Sequence, residues 1–173
     1  PMFNGSFTVS TDASHYSIAG CLTEKQDGEE RIIAVDSQVL SEAQSRWAIS
    51  HLELLAVYTF VRKWEKMLMT EKFTIRTDNV SVAFTLQNIA KHNITGHNSA
   101  SRYLMFLSMF DYTCIHTSGT DASFRLTDLL IRKVAHRDTP LIFNSSTKKD
   151  LVTFKDLQTL RETSLTEAFS KKN

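Results

Sequence analysis

Four acidic residues stand where a strand should end or a helix should be apolar: Asp12, Glu53, Asp78 and Asp128. Asp12 follows the alternating run Phe7 to Thr11, and Asp78 follows a second such run, Phe73 to Thr77. Glu53 falls on the helical line Ile49, Glu53, Ala56, Phe60, whose other members are apolar. Asp128 sits between Leu126 and Leu129. An acid on a buried face is costly unless it is paired or metal-bound. Each also has an ordinary role. Asp12 suits a turn or a helix cap, Asp78 before Asn79 suits an N-cap, and Asp128 suits the first turn of a helix. A small rotation of its helix would turn Glu53 outward. Taken singly, the ordinary role is the better account of each Asp, and Glu53 is evenly balanced. Taken together, on separate elements, the acids need a fold that gathers them.

The elements that must do so are legible from periodicity. Phe7, Val9 and Thr11 alternate with polar neighbours, Ser17 to Thr23 is an apolar run containing Gly20, and Arg31 to Asp36 reads as a third strand. The polar cluster Lys25 to Glu30, with Asp27-Gly28 at its centre, predicts a tight hairpin. Ser41, with Gln44 three residues later, predicts the start of a long helix by a capping box. Trp47, Leu54, Val57, Val61, Trp64 and Leu68 sustain that helix at helical spacing. Phe73 to Thr77 is a strand, Val80 to Ile89 a short helix, His92 to Gly96 a loop, and Ser99 to Phe110 a further helix. Tyr112 to Thr117 is a fifth strand, and Leu126 to Val134 a last helix carrying Asp128. An antiparallel meander followed by αβ crossovers predicts an α/β fold with a mixed sheet.

The chain has 173 residues, 42% hydrophobic and 23% charged, with a net charge of +1. Those values describe a globular domain able to bury a core, with no global field to demand a nucleic-acid partner. Any phosphate-binding surface must come from local clusters, such as Arg62, Lys63, Lys66, Lys72 and Arg76. A solvated helix face explains that group equally well. Cys21 and Cys114 lack metal-site spacing and read as core thiols. There is no apolar run of membrane-spanning length and no signal peptide, so an intracellular protein with no membrane partner is expected. Composition turns linker-like after His136, which predicts a domain over 1–136 and a linker with a C-terminal helical extension over 137–173. The amphipathic stretch Leu151 to Phe169 is the candidate helix there.

Several local sequences resemble the ribonuclease H (RNase H) domain of gypsy-type LTR retrotransposons and retroviruses, within the Pol polyprotein. The run FTVSTDAS, Phe7 to Ser14, resembles that family's first strand ending in T-D-A-S. Ser37 to Trp64 resembles its S-x-x-L stretch and the helix with E-L-L-A, here Glu53-Leu54-Leu55-Ala56. Phe73 to Val82 resembles the strand F-x-x-x-T-D, and Tyr103 to Asp121 the next helix and strand. Thr127-Asp128-Leu129-Leu130-Ile131-Arg132 resembles the terminal A-D-x-L-S-R. There are departures. The Lys after the helical acid is missing, because Leu54 follows Glu53 directly, and Ala122 to Leu126 stands in place of the shorter N-x-x-A-D link. No His lies between Gly119 and Asp128, where many relatives carry one.

The resemblance implies the RNase H-like fold, a mixed five-stranded sheet with helices on both faces, here with a C-terminal extension. It implies that Asp12, Glu53, Asp78 and Asp128 are catalytic and metal-binding. Acids without His or Cys partners suit Mg²⁺ or Mn²⁺. Two ions about 3.5–4 Å apart would clamp a scissile phosphate of the RNA strand in an RNA–DNA hybrid. Asp12 would bridge them, with Glu53 and Asp78 on one ion and Asp128 on the other. Ser14, His15 and Asn79, following the strand ends, are the candidates for substrate binding through ribose 2′-hydroxyls. The implied partners are the hybrid, the reverse transcriptase polymerase region in cis, and integrase in the same polyprotein. The implied location is cytoplasmic, in a virus-like particle, and nuclear. The alternative is a non-catalytic RNase H-like connector or a domesticated interaction module, whose mark would be a missing acid.

Overall fold

The fold was read from a computed structural model that describes residues 6–89, 98–118, 127–129 and 131. The expected loop His92 to Gly96 and the whole 137–173 extension lie outside the described residues. No helix among the described residues is long and apolar enough to cross a membrane.

Strands β1 (Phe7–Ala13), β2 (Ser17–Gln26) and β3 (Glu29–Val39) form an antiparallel meander. Its hairpin turn is Asp27-Gly28, with φ of 52° and 87°. Two consecutive left-handed residues match the right-handed twist of the flanking strands, and Gly carries the second at no steric cost. Strands β4 (Phe73–Thr77) and β5 (Tyr112–His116) join parallel to β1 and to each other, giving the order β3-β2-β1-β4-β5. The sheet is mixed, as expected.

Alternation decides which face each strand residue serves. Phe7, Val9, Leu22, Phe73 and Ile75 enter one hydrophobic core with Leu52, Ala56, Phe60 and Val61 of helix α1 (Ile49–Lys63). Helices α3 (Val80–Gln87) and α4 (Ser99–Leu107) pack beside α1. Residues 127–129 and 131 are helical, and Ile131 is buried. Ser17 Oγ donates to the Ile131 carbonyl at 3.5 Å.

Gly20 sets how closely α1 approaches the sheet. A Cβ at that position would lie 2.4 Å from Cγ of Phe60. Only a residue without Cβ lets the Phe60 ring come this close to β2. Glu53 stands two turns earlier on the same helix face, so this contact also sets its height above β1.

The capping box forms but caps a different helix. Ser41 N donates to Gln44 Oε1 at 2.9 Å and Gln44 N to Ser41 Oγ at 3.3 Å. They open a 3₁₀ turn, Gln44–Arg46, and the chain then extends through Trp47 and Ala48 before α1 starts at Ile49. The break lets the Trp47 ring stack on His51 at 4.5 Å. The helix also ends at Trp64, and Leu68 belongs to a separate short helix, α2 (Glu65–Leu68).

Candidate active site

Three of the four predicted acids meet. Ligand atoms of Asp12, Glu53 and Asp78 lie within 4.8 Å of one another. Asp12 comes from the last turn of pleat in β1, Asp78 from the residue just past β4, and Glu53 from the second turn of α1. Parallel pairing of Thr11 with Thr77 brings the two strand ends side by side. The helix then lowers Glu53 onto them.

Burial is graded across the triad. Glu53 is 3% exposed, Asp12 is half-buried, and Asp78 is exposed. Burial, reinforced by the neighbouring charges of Asp12 and Asp78, pushes the Glu53 carboxyl up to about 9. The Ala13 backbone N–H opposes this by donating to Glu53 Oε1 at 3.2 Å. The same N–H lies 2.8 Å from Asp12 Oδ1. Glu53 Oε2 is buried with no hydrogen-bond partner. An orphaned buried oxygen beside two further carboxylates is what a divalent cation would satisfy. The residues present therefore fit a hard cation, with Asp12, Glu53 and Asp78 as its holders.

Asp128 does not join this group of three. It is half-buried, near the start of the last helical residues, and the Ser17–Ile131 contact ties that segment to the β1–β2 end of the sheet.

The predicted substrate residues each have a structural task. Ser14 Oγ closes the β1–β2 turn, accepting from Ser17 N at 3.1 Å and Tyr16 N at 3.2 Å. His15 Nδ1 contacts the Ser45 carbonyl at 2.9 Å. A carbonyl only accepts, so Nδ1 carries a proton, and in the neutral ring Nε2 is then an acceptor. Asn79 caps α3, its Oδ1 accepting from Val82 N at 3.1 Å.

Much of the basic cluster is engaged within the fold. Lys63 pairs with Asp36, and Lys72 with Asp111 at 3.5 Å. Arg62 donates to Tyr58 Oη at 2.5 Å, its guanidinium 5.8 Å from that ring's centre. Arg76 alternates with buried Ile75 and Thr77, so it points away from α1 and makes a two-pronged bond to Glu30 at 2.5 and 2.9 Å.

Two participants escaped the sequence reading. The Ala13 N–H has no side-chain signature. His116, at the end of β5, places Nε2 3.0 Å from the Asp78 carbonyl, a contact set only by strand register.

Comparison with known proteins gives a consistent picture. Residues 2–110 match a family described as "RNase H-like domain found in reverse transcriptase". That span holds Asp12, Glu53 and Asp78 and stops before Asp128. The chain is 30% identical over 127 residues to the enzymatic polyprotein of Carnation etched ring virus, covering 72% of this chain and 19% of that one. It is 30% identical over 103 residues to the enzymatic polyprotein of Cestrum yellow leaf curling virus, covering 54% of this chain and 15% of that one. It is 21% identical over 121 residues to the retrovirus-related Pol polyprotein from transposon 412 of Drosophila melanogaster, covering 70% and 9%. The chain thus spans less than a fifth of the length of each of these relatives. Among solved structures, RNase H1 from Halobacterium salinarum NRC-1 superposes with a TM-score of 0.54 at 16% identity, over 77% of this chain and 99% of that one. The foamy viral protease–reverse transcriptase in complex with RNA/DNA hybrid gives 0.52 at 13% identity, over 86% and 18%. At those identities the likeness concerns the fold.

Proposed function

Because this chain belongs to the family of RNase H-like domains found in reverse transcriptase, we propose that it is a ribonuclease H acting on the RNA strand of RNA–DNA hybrids. The observation that carries the proposal is the acidic triad: Asp12, Glu53 and Asp78 within 4.8 Å, around an orphaned Glu53 oxygen. Asp12, Glu53 and Asp78 would hold Mg²⁺ or Mn²⁺, and Asp128, brought up from the last helix, would complete a two-ion site. Such ions, when bound, supply Lewis-acid stabilisation of the charge that develops as a phosphodiester is hydrolysed. Hydrolysis breaks the bond from phosphorus to the 3′ oxygen, leaving a 3′ hydroxyl and a 5′ phosphate.

The chain's own groups prepare that chemistry. The shared Ala13 N–H orients Asp12 and Glu53 towards each other. The graded burial leaves Asp78 on the solvent side, where a phosphate can approach, and Glu53 on the dry side. His15 offers Nε2 as an acceptor for a ribose 2′-hydroxyl, which RNA has and DNA lacks. Asn79, its carbonyl oxygen occupied by the α3 cap, offers amide N–H groups to the same strand. Ser14 holds the turn that carries His15.

The hybrid is the proposed substrate, supported by the foamy viral relative in fold, which was solved with RNA/DNA hybrid. Reverse transcription of a retroelement is the proposed setting, with the polymerase region in cis and integrase in the same polyprotein. We place this work in the cytoplasm, within a virus-like particle, and in the nucleus.

The test is cleavage of a hybrid labelled on each strand, with Mg²⁺ or Mn²⁺, beside Asp78→Asn and a chelator control. Cutting of the RNA strand alone, lost in both controls, supports the proposal. A chain that takes up metal and binds hybrid yet never cuts, even with the polymerase region supplied, is a connector domain instead.

A further inference from the structure

We infer that His116 is a positioning residue for Asp78: through its ring N–H it holds the backbone that aims the Asp78 carboxylate at Asp12 and Glu53. The inference rests on the acidic triad being the working site proposed above.

Asp78 is the least supported member of the triad. Glu53 is enclosed by α1 and the sheet and accepts from Ala13, and Asp12 lies within the β1 ladder. Asp78 is exposed and sits one residue beyond the last paired residue of β4. Two further carboxyl groups lie within 4.8 Å of it. Repulsion from the Asp12 carboxylate drives the outermost carboxylate towards solvent. Something must hold its backbone if it is to stay.

The ladder supplies the first part. Thr77 is the register partner of His116, and Thr117 N donates to the Thr77 carbonyl at 3.0 Å. The peptide group that follows Asp78 is then held at both ends. Its N–H, belonging to Asn79, donates to Thr77 Oγ1 at 3.2 Å. Its carbonyl, belonging to Asp78, accepts from His116 Nε2 at 3.0 Å. A carbonyl has no proton to give, so this contact requires the proton on Nε2. Fixing both ends of one peptide plane fixes ψ of Asp78, and with it the direction of the Cα–Cβ bond. Thr77 can be read as a partner from strand alternation alone. His116 cannot, because its reach to the carbonyl depends on β5 lying in this register beside β4.

A residue of this kind acts on the site without touching substrate. Losing it should loosen metal binding and leave hybrid recognition alone. The experiment uses the full chain and the variants His116→Leu and His116→Gln. Leu keeps the bulk and removes the donor, whereas the Gln side-chain amide restores an N–H at about the same reach. Mn²⁺ binding is measured by calorimetry without nucleic acid, alongside the metal-free melting temperature and the hybrid KM. The expected result is Mn²⁺ affinity weakened roughly three- to tenfold in His116→Leu, the worth of one hydrogen bond. His116→Gln should recover most of it, with the metal-free melting temperature and hybrid KM little changed in either.

Equal Mn²⁺ affinity in wild type and His116→Leu overturns the inference and leaves the site intact. Affinity and melting temperature falling together, without recovery in His116→Gln, also overturn it, because that pattern is a general loss of structure. Wild-type chain that takes up no Mn²⁺ overturns the reading of the triad itself, and this inference with it.

Discussion

Glu53 Oε1 and the backbone N–H of Ala13 meet at 3.2 Å, and this contact joins helix α1 to the end of strand β1. The donor is shared with Asp12 Oδ1. One N–H thus serves two carboxylates. Glu53 keeps a second oxygen with no partner. Without a cation, the site is an electrostatic burden on the fold.

That burden has a definite pH dependence. The folded Glu53 carboxyl titrates at about 9, above its ordinary 4.5. Between those values the folded chain holds a proton that the unfolded chain releases. The contribution of Glu53 to stability is therefore fully present below about pH 4.5 and is lost as pH rises towards 9. In chelator, the melting temperature of wild type should fall from pH 5.5 to pH 8.5 by more than that of Glu53→Gln, which has no proton to lose. Parallel curves for the two proteins would show that Glu53 is ionised at little cost.

Adding metal should reverse the loss. A ligand at about a hundred times its Kd stabilises by about 2.7 kcal/mol, a shift of several degrees for a domain of this size. Mg²⁺ should raise the melting temperature more at pH 8 than at pH 5.5, since protons compete for the same carboxylates. Asp78→Asn should shrink the rise. A melting curve that ignores magnesium at both pH values would mean that no formed site exists.

Gly20→Ala tests the packing that places Glu53. Its Cβ would fall 2.4 Å from the Phe60 ring, so α1 or the ring must move. Overpacking of this kind costs about 1–3 kcal/mol. Chemical denaturation should show that loss, and hybrid cleavage should drop as Glu53 shifts. Pairing it with Phe60→Leu should restore part of both, because the two residues compete for one space. Full additivity of the two substitutions would refute the contact.

His15→Ala should raise the KM for hybrid by roughly three- to tenfold, one hydrogen bond's worth, with kcat little changed. Binding to a DNA duplex, which has no 2′-hydroxyl, should not move. Equal weakening on both duplexes would assign His15 to general charge or turn structure.

Asp128→Asn separates two arrangements. If Asp128 completes the site, kcat should fall roughly tenfold or more, about 1.4 kcal/mol of barrier or beyond, with hybrid KM held. Wild-type kcat in Asp128→Asn would confine the chemistry to Asp12, Glu53 and Asp78.

The strands were readable because their signal is local. The period-two alternation of Phe7, Val9 and Thr11 follows directly from the pleat. The Asp27-Gly28 hairpin follows from two left-handed residues that few other sequences supply so easily. The start of α1 was not readable. Ser41 and Gln44 make a sound capping box, yet it closes on a 3₁₀ turn. Whether a helix continues past its first turn depends on what its side chains meet, and here Trp47 leaves the helix to stack on His51. The basic cluster stayed evenly balanced in the sequence for a similar reason. Arg76 is close to Lys72 in sequence, but strand alternation sends it across the sheet to Glu30.

By itself, the amino-acid sequence determined which acids close strands, that Glu53 interrupts an apolar helix face, and that a meander precedes the crossovers. Those are properties of neighbours within a few residues, where backbone geometry repeats with a fixed period. Tertiary structure alone decided that Asp12, Glu53 and Asp78 meet while Asp128 stands outside their group. It also decided that Ala13 lends them an N–H and that His116 reaches the Asp78 carbonyl. Those relations depend on strand register and on the depth at which α1 settles over Gly20. Both are fixed by contacts between residues far apart in the chain, which no local period encodes.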